Sequence, residues 1–239
     1  METIKINKNQ VKMVAHRGLS GLETENTNSA FELAGKSSYY GIETDIRRTV
    51  DGKFVICHDA DLNRIAGESV VVESSTLEDL QKITLFSKDG TKTRQDLKLT
   101  TLENYITICK NYNKHCVLEL KSDFTEQEVY KIIEIIKSLN YLNQVTFISF
   151  HYSNLTKVRK FSPNQSAQFL FREITDEVIS NLIADKFDAD VRHDALNKEI
   201  IENLHKNNVL INCWTVDSKE RAEELVLLGV DFITTNILE

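Results

Sequence analysis

Residues 41–49 read Gly-Ile-Glu-Thr-Asp-Ile-Arg-Arg-Thr, GIETDIRRT. Side chains alternate faces along a strand, so Glu43 and Asp45 point one way while Ile42 and Ile46 point the other. Seven further apolar runs share this short, strand-like character: KMVA (12–15), CVLELK (116–121), QVTFISF (144–150), SAQFLF (166–171), FDADV (187–191), VLINCW (209–214) and DFITT (231–235). Between them lie amphipathic segments such as TEQEVYKIIEIIKSLN (125–140) and DSKERAEELVLLG (217–229). In the latter, Leu225 and Leu228 share one face, Glu220, Arg221 and Glu224 lie largely on the other, and Gly229 is placed to end the helix. Eight strands separated mainly by helices predict an α/β fold, a closed (β/α)8 TIM-type barrel, with residues 1–239 forming one domain. The stretch 59–114 breaks the rhythm with a polar SKDGTKTRQDLK tract, and we expect it to be a small insertion after the second strand region.

Composition narrows the function. The chain has 239 residues, 29 basic and 36 acidic, for a formal charge of -7. An acidic balance without a clustered basic footprint disfavours a nucleic-acid partner. A small anionic substrate remains compatible, because a pocket can be locally positive. Cys57, Cys109, Cys116 and Cys213 show neither a CxxC nor a Cys/His spacing, which excludes a recognisable zinc site or disulfide framework. The first ten residues contain no apolar leader-like core, and no apolar run has the length of a membrane span. A soluble, cytoplasmic protein without stable membrane insertion is expected.

The alternation rule applied to VLELK puts Glu119 and Lys121 on one face and Leu118 and Leu120 on the other. If both strands lie in one barrel, Glu43, Asp45 and Glu119 converge near its upper end. Carboxylates this close need a cation to offset repulsion and desolvation, and an oxygen-only donor set favours magnesium, calcium or manganese. An ordinary ion pair with Arg47, on the same face as Glu43 and Asp45, is the competing reading. The balance shifts because His16 follows the first strand and His58 ends GKFVICHD, positions at which a barrel presents catalytic groups. Two imidazoles beside an acidic cluster suit proton transfer near neutral pH.

These residues, in order, resemble the glycerophosphodiester phosphodiesterase family: AHRG (15–18), ENTNSAF (25–31), GIETDIRRTVDGKFVICHD (41–59), LEL followed by Lys121, ISF (148–150), CWTVD (213–217) and GVDFITTN (229–236). The resemblance implies a metal-dependent phosphodiesterase that converts glycerophosphodiesters to sn-glycerol 3-phosphate and an alcohol. It implies that His16 and His58 are the acid and base, and that Glu43, Asp45 and Glu119 hold one divalent cation, Mg2+ or Ca2+, with Mn2+ also compatible. Arg17 and Lys121 would contact phosphate, and the insertion would shape the alcohol side of the mouth. By position, Trp214 at the end of the seventh strand is expected to offer an apolar wall to the glycerol carbons and Phe150 at the end of the fourth to line the same mouth, although aromatic residues at strand ends also serve as core. Asn26 either caps the helix beginning near Thr27 or holds the catalytic loop.

Three departures stand out: Thr24 and the LTTLE tract (99–103) lack prolines common in the family, and Asn236 stands where aspartate is common. Two other functions stay open. Lysophospholipid cleavage would need an apolar channel or interfacial helix, which the sequence does not clearly carry. A silent barrel that binds a phosphorylated ligand would have lost a histidine or a metal ligand, and all five are present.

Overall fold

A computed structural model describes residues 2–239. Its strands are β1 (Lys12–Ala15), β2 (Gly41–Arg48), β3 (Phe54–Ile56), β4 (Asp61–Leu62), β5 (Glu68–Val71), β6 (His115–Leu120), β7 (Val145–Ser149), β8 (Ser166–Phe171), β9 (Asp188–Arg192), β10 (Ile211–Trp214) and β11 (Phe232–Thr235). Eight of them, β1, β2 and β6 to β11, pair in parallel in the order β1-β11-β10-β9-β8-β7-β6-β2, and β1 pairs with β2 to close the barrel. All eight anticipated runs are barrel strands.

Helices cover the outside: α1 (Asn28–Lys36), α4 (Leu102–Asn111), α5 (Glu126–Ser138), α6 (Tyr152–Phe161), α7 (Asp176–Asp185), α8 (Lys198–Lys206) and α9 (Lys219–Leu228), with the short α2 (Asn63–Ala66) and α3 (Leu77–Lys82) between β4 and α4. The starts of α1, α3, α4, α5, α7, α8 and α9 are set by side chains that satisfy free backbone N–H groups. Thr125 and Glu128 form a reciprocal capping box on α5, and Ser218 caps α9, which ends at Gly229 in the left-handed region. Alternation then sorts the strand residues. Ile42, Ile46, Leu118, Leu120, Phe147, Ala189, Val191 and Ile211 face the helices in the main core, whereas Val14, Val117, Ile148 and Leu170 fill the barrel interior.

The stretch 59–114 divides in two. Residues from β4 to about Leu99 form the excursion, with a core of their own made by Leu62, Ala66, Val72, Leu80, Leu85 and Leu97 packed on Val55 of β3. Helix α4, by contrast, packs against α1, β2 and β6 and completes an ordinary barrel crossover. Its buried face, Leu102, Tyr105, Ile106 and Cys109, follows helical spacing that the polar tract before it had masked. All four cysteines are buried and free. Among the described residues no helix is long and apolar enough to cross a membrane.

Candidate active site

Register assembles the acidic cluster. Asp45 on β2 stands directly opposite Glu119 on β6, and Glu43 opposite Val117, so the three carboxylates share one patch of the inner wall. One oxygen from each lies within 4.8 Å of the others. The HRG loop after β1 closes over this patch. Arg17 adopts a left-handed φ of 56°, and its backbone N–H donates to Glu43 Oε2 at 2.9 Å. Gly18, at φ 76°, can turn there because it has no Cβ, which would meet the Ala30 carbonyl carbon at 2.7 Å. Asn26 does not cap α1: Thr27 does, and the Asn26 amide instead donates to Asp45 Oδ2 at 2.9 Å while accepting from Thr44 Oγ1 at 2.8 Å.

Two cations answer three carboxylates. Lys121 Nζ lies 2.9 Å from Glu119 and 3.6 Å from Asp45, and Arg17 Nε lies 3.5 Å from Asp45. Arg47, the partner in the competing ion-pair reading, turns away to the His58 carbonyl and Glu73. Burial pushes Glu43 well above the usual carboxylate range, with repulsion from Asp45 and Glu119 adding to it. Burial and then Asp45 push Glu119 up to about 7. Burial would raise Asp45 too, but Arg17, Lys121 and His58 outweigh it and hold Asp45 well below its ordinary value. The buried Asp45 Oδ1 has no hydrogen-bond partner. An orphaned carboxylate oxygen, two carboxyls forced toward neutrality and an all-oxygen donor set together fit a hard divalent cation.

The histidines reach the mouth by different routes. His16 follows β1, its backbone N–H bonded to the Thr235 carbonyl. His58 arrives because the Thr49–Lys53 turn folds β3 back antiparallel along β2, with the Cys57 N–H bonded to the Asp45 carbonyl. Their partners fix their tautomers. Asp217 accepts from the Asn236 amide at 2.6 Å, leaving Asn236 Oδ1 to accept at 2.8 Å from His16 Nδ1. Asp59 Oδ1 accepts from His58 Nδ1 at 2.7 Å. Each ring therefore keeps Nε2 free for chemistry. Burial and then the charge of Arg17 push His16 down to about 4. Burial also lowers His58, against the pull of Asp45. A salt-bridge chain ties the two sides together, Asp59 to Arg64 at 2.7 Å, Arg64 to Glu25 at 2.7 Å and Glu25 to Arg17 at 3.0 Å.

His16, Arg17, Glu43, His58, Glu119, Lys121, Phe150 and Trp214 all line one cavity of about 290 Å³ at the C-terminal end of the barrel. Asp45 lies just behind that wall. Phe150 and Trp214 meet edge to face at 5.7 Å. Sequence reasoning passed over Arg172, Asp190, Thr215 and Thr234, which line the same cavity. For Asp190 the signal was present: FDADV carries an Asp-x-Asp alternation of the kind that flagged Glu43 and Asp45.

Residues 16–239 match the family model described as the glycerophosphoryl diester phosphodiesterase family. A glycerophosphodiester phosphodiesterase of Caldanaerobacter subterraneus subsp. tengcongensis is 29% identical over 227 residues, covering 94% of this chain and 93% of its own. The Bacillus subtilis protein YhdW is 32% identical over 235 residues, with 94% and 93% covered. Among solved structures, an Oleispira antarctica phosphodiesterase in complex with the product sn-glycerol-3-phosphate superposes with a TM-score of 0.84 at 21% identity, covering 97% of this chain and 95% of that one.

Proposed function

This chain belongs to the glycerophosphoryl diester phosphodiesterase family and is a phosphoric diester hydrolase, and from that premise we propose how its own residues carry the reaction. The substrate is a glycerophosphodiester, and the products are sn-glycerol 3-phosphate and the head-group alcohol. The sn-glycerol-3-phosphate bound by the Oleispira antarctica phosphodiesterase supports that product. Glu43, Asp45 and Glu119 would hold one divalent cation, magnesium or calcium, with manganese also suited to the donors. Such an ion supplies Lewis-acid polarisation of a phosphoryl oxygen.

Charge counting supports the assignment. Three carboxylates and a divalent cation leave one negative charge, the phosphodiester adds a second, and Arg17 with Lys121 brings the sum to zero. Arg17 offers a planar fork of donors, and its buried Nε lacks a hydrogen-bond partner. Lys121 acts as a point charge from the floor of the mouth. His16 and His58 are the acid and base. One takes the proton from the nucleophile as its oxygen bonds to phosphorus, and the other gives a proton to the alcohol oxygen as its bond to phosphorus breaks. The nucleophile is water or the neighbouring glycerol hydroxyl, which would pass through a cyclic phosphate. Phe150 and Trp214 wall the cavity beside the reacting phosphate.

The observation that carries this reading is the convergence of two tautomer-fixed imidazoles and a three-carboxylate cluster on one cavity. Release of glycerol 3-phosphate from glycerophosphocholine and glycerophosphoethanolamine tests it, with chelator and then added magnesium, calcium or manganese. Chelation should abolish release and one ion restore it. His16→Ala and His58→Ala should each lower turnover by at least ~100-fold; near-normal turnover in either removes that histidine from the mechanism.

A further inference from the structure

The half of the cavity opposite the acidic cluster contains two buried polar atoms with no partner among the described residues: Asp190 Oδ1 and Trp214 Nε1. Asp190 is 1% exposed and lies on β9 between Ala189 and Val191, which face the outer helices, so its carboxyl faces the barrel interior. Both residues line the cavity. In register, Asp190 stands beside Asn212 of β10, and Trp214 is two residues further along the same inner face. An acceptor and a donor are thus stacked one layer apart on adjacent strands, separated by about 7 Å of strand rise.

The surrounding polar layer does not satisfy them. Thr234 Oγ1 donates to Asn212 Oδ1 at 3.1 Å, and the Asn212 amide reaches Gln168 Oε1 at 3.4 Å, a chain that passes Asp190 Oδ1 by. Burial, and then the charge of Glu119, push the Asp190 carboxyl above its ordinary pKa, against the pull of Asn212, and Oδ1 is left as an unpaired acceptor. Leaving such atoms unpaired is costly, and native proteins pair nearly all of them. Ile148, Leu170 and the Trp214 ring supply apolar walls above this polar floor. Carbon with hydroxyls attached is the chemistry that matches walls and floor together.

We propose that Asp190 is a specificity-determining residue: with Trp214 Nε1, it receives the free hydroxyls of the glycerol arm and so selects a polyol phosphodiester. The assignment rests on the glycerophosphodiester reading above and adds the group that recognises the polyol. It also orients the substrate, with the glycerol arm toward β8–β10 and the phosphate between that floor and Lys121. An esterified hydroxyl would lose its donor at this floor, which disfavours acylated substrates.

The test compares sn-glycerol 3-phosphate with n-propyl phosphate, which keeps the phosphate and the three carbons and lacks both hydroxyls. Binding is measured by calorimetry with magnesium on the wild type, Asp190→Leu, Asp190→Asn and Trp214→Phe. The wild type should prefer the glycerol compound by about 10- to 100-fold. Asp190→Leu should lose most of that preference with propyl phosphate affinity unchanged, and Asp190→Asn should keep part of it. Trp214→Phe retains an aromatic wall without the N–H and should lose a few-fold, which keeps the proposal testable if Asp190→Leu does not fold. Preference retained in Asp190→Leu, or equal weakening of both ligands, overturns the proposal. Wild-type hydrolysis of glycerophosphoethanolamine is measured alongside: activity without a hydroxyl preference refutes the role of Asp190 alone, and no activity refutes the substrate reading beneath it.

Discussion

Glu119→Gln should move stability and activity in opposite directions. The side chain lies opposite Asp45, and burial, then the charge of Asp45, push its carboxyl from 4.5 up to about 7. A shift of this size corresponds to about 3 kcal/mol against the folded, ionised form. Because the folded-state value is raised, there is no penalty below pH 4.5; it grows between 4.5 and about 7 and is full above that. His16 acts at the other end. Its lowered value makes acid costly between 6.5 and about 4, and it contributes nothing at pH 8 because it is neutral in both states.

At pH 8 with chelator, Glu119→Gln therefore removes a repulsive charge without removing volume. The ceiling of about 3 kcal/mol corresponds to a Tm rise of roughly 6–12 °C for a chain of this size. The gain falls short of that ceiling because Lys121, 2.9 Å from Glu119, keeps only Asp45 as partner. At pH 5 the advantage should shrink to a small fraction. With magnesium the wild type should recover most of the difference, while the variant, lacking one anionic ligand, gains less and loses at least ~100-fold in turnover. Thermal unfolding at pH 5 and pH 8, with chelator and with magnesium, reads all four states. A variant less stable than the wild type at pH 8 in chelator, or a gain independent of pH, would refute the view of Glu119 as a strained anion awaiting a cation.

Asp59→Asn should lower kcat by about 10- to 100-fold with little change in KM, because Asp59 fixes the His58 tautomer at 2.7 Å without lining the cavity; steady-state kinetics on glycerophosphoethanolamine measure the split. Arg17→Lys should keep the charge and lose the fork, lowering kcat/KM by about 10-fold or more, with circular dichroism confirming the fold. Gly18→Ala should destabilise by about 2 kcal/mol or more, because φ of 76° is strained for alanine and the Cβ would meet Ala30 backbone at 2.7 Å. That appears as a Tm lowered by roughly 4–8 °C.

The barrel and its acidic cluster were legible because both depend on a period of two. GIETDIRRT and VLELK state which side chains share a face, and parallel register then places Asp45 opposite Glu119. What alternation cannot state is which loop lies over which strand. Asn26 looked like a helix cap because its type and position suit one. Only the closed barrel, which brings the ENTN loop beside β2, reveals its amide on Asp45. The Arg64–Glu25–Arg17 chain was hidden for the same reason, since Arg64 comes from α2 while Glu25 and Arg17 share the loop between β1 and α1. Helix α4 was absorbed into the insertion because the polar tract before it obscured where the excursion ends. Asp190 was overlooked for a different reason: its Asp-x-Asp alternation was there to read, but the unpaired Oδ1 that gives it significance shows only in the folded barrel.

The departure at position 236 fits this arrangement. The role of an aspartate there would be to accept from His16 Nδ1 and orient the ring; Asn236 Oδ1 does the accepting, with its amide held by Asp217. Orientation survives, but the anion sits one residue further from the imidazole. His58 keeps a direct carboxylate partner in Asp59. The two histidines are therefore alike in tautomer and unlike in electrostatics, and the same asymmetry runs through the whole mouth. Both histidines, both cations named above and the three clustered carboxylates lie on the side of β1, β2 and β6, while the β8 to β11 side offers a single carboxyl, Asp190, with Thr234, Trp214 and, at the rim, Arg172. In the orientation proposed above, the phosphate would lie at the boundary, against Arg17 and Lys121, with the glycerol arm over Asp190. That orientation would present the bond between phosphorus and the head-group oxygen to His16 and His58.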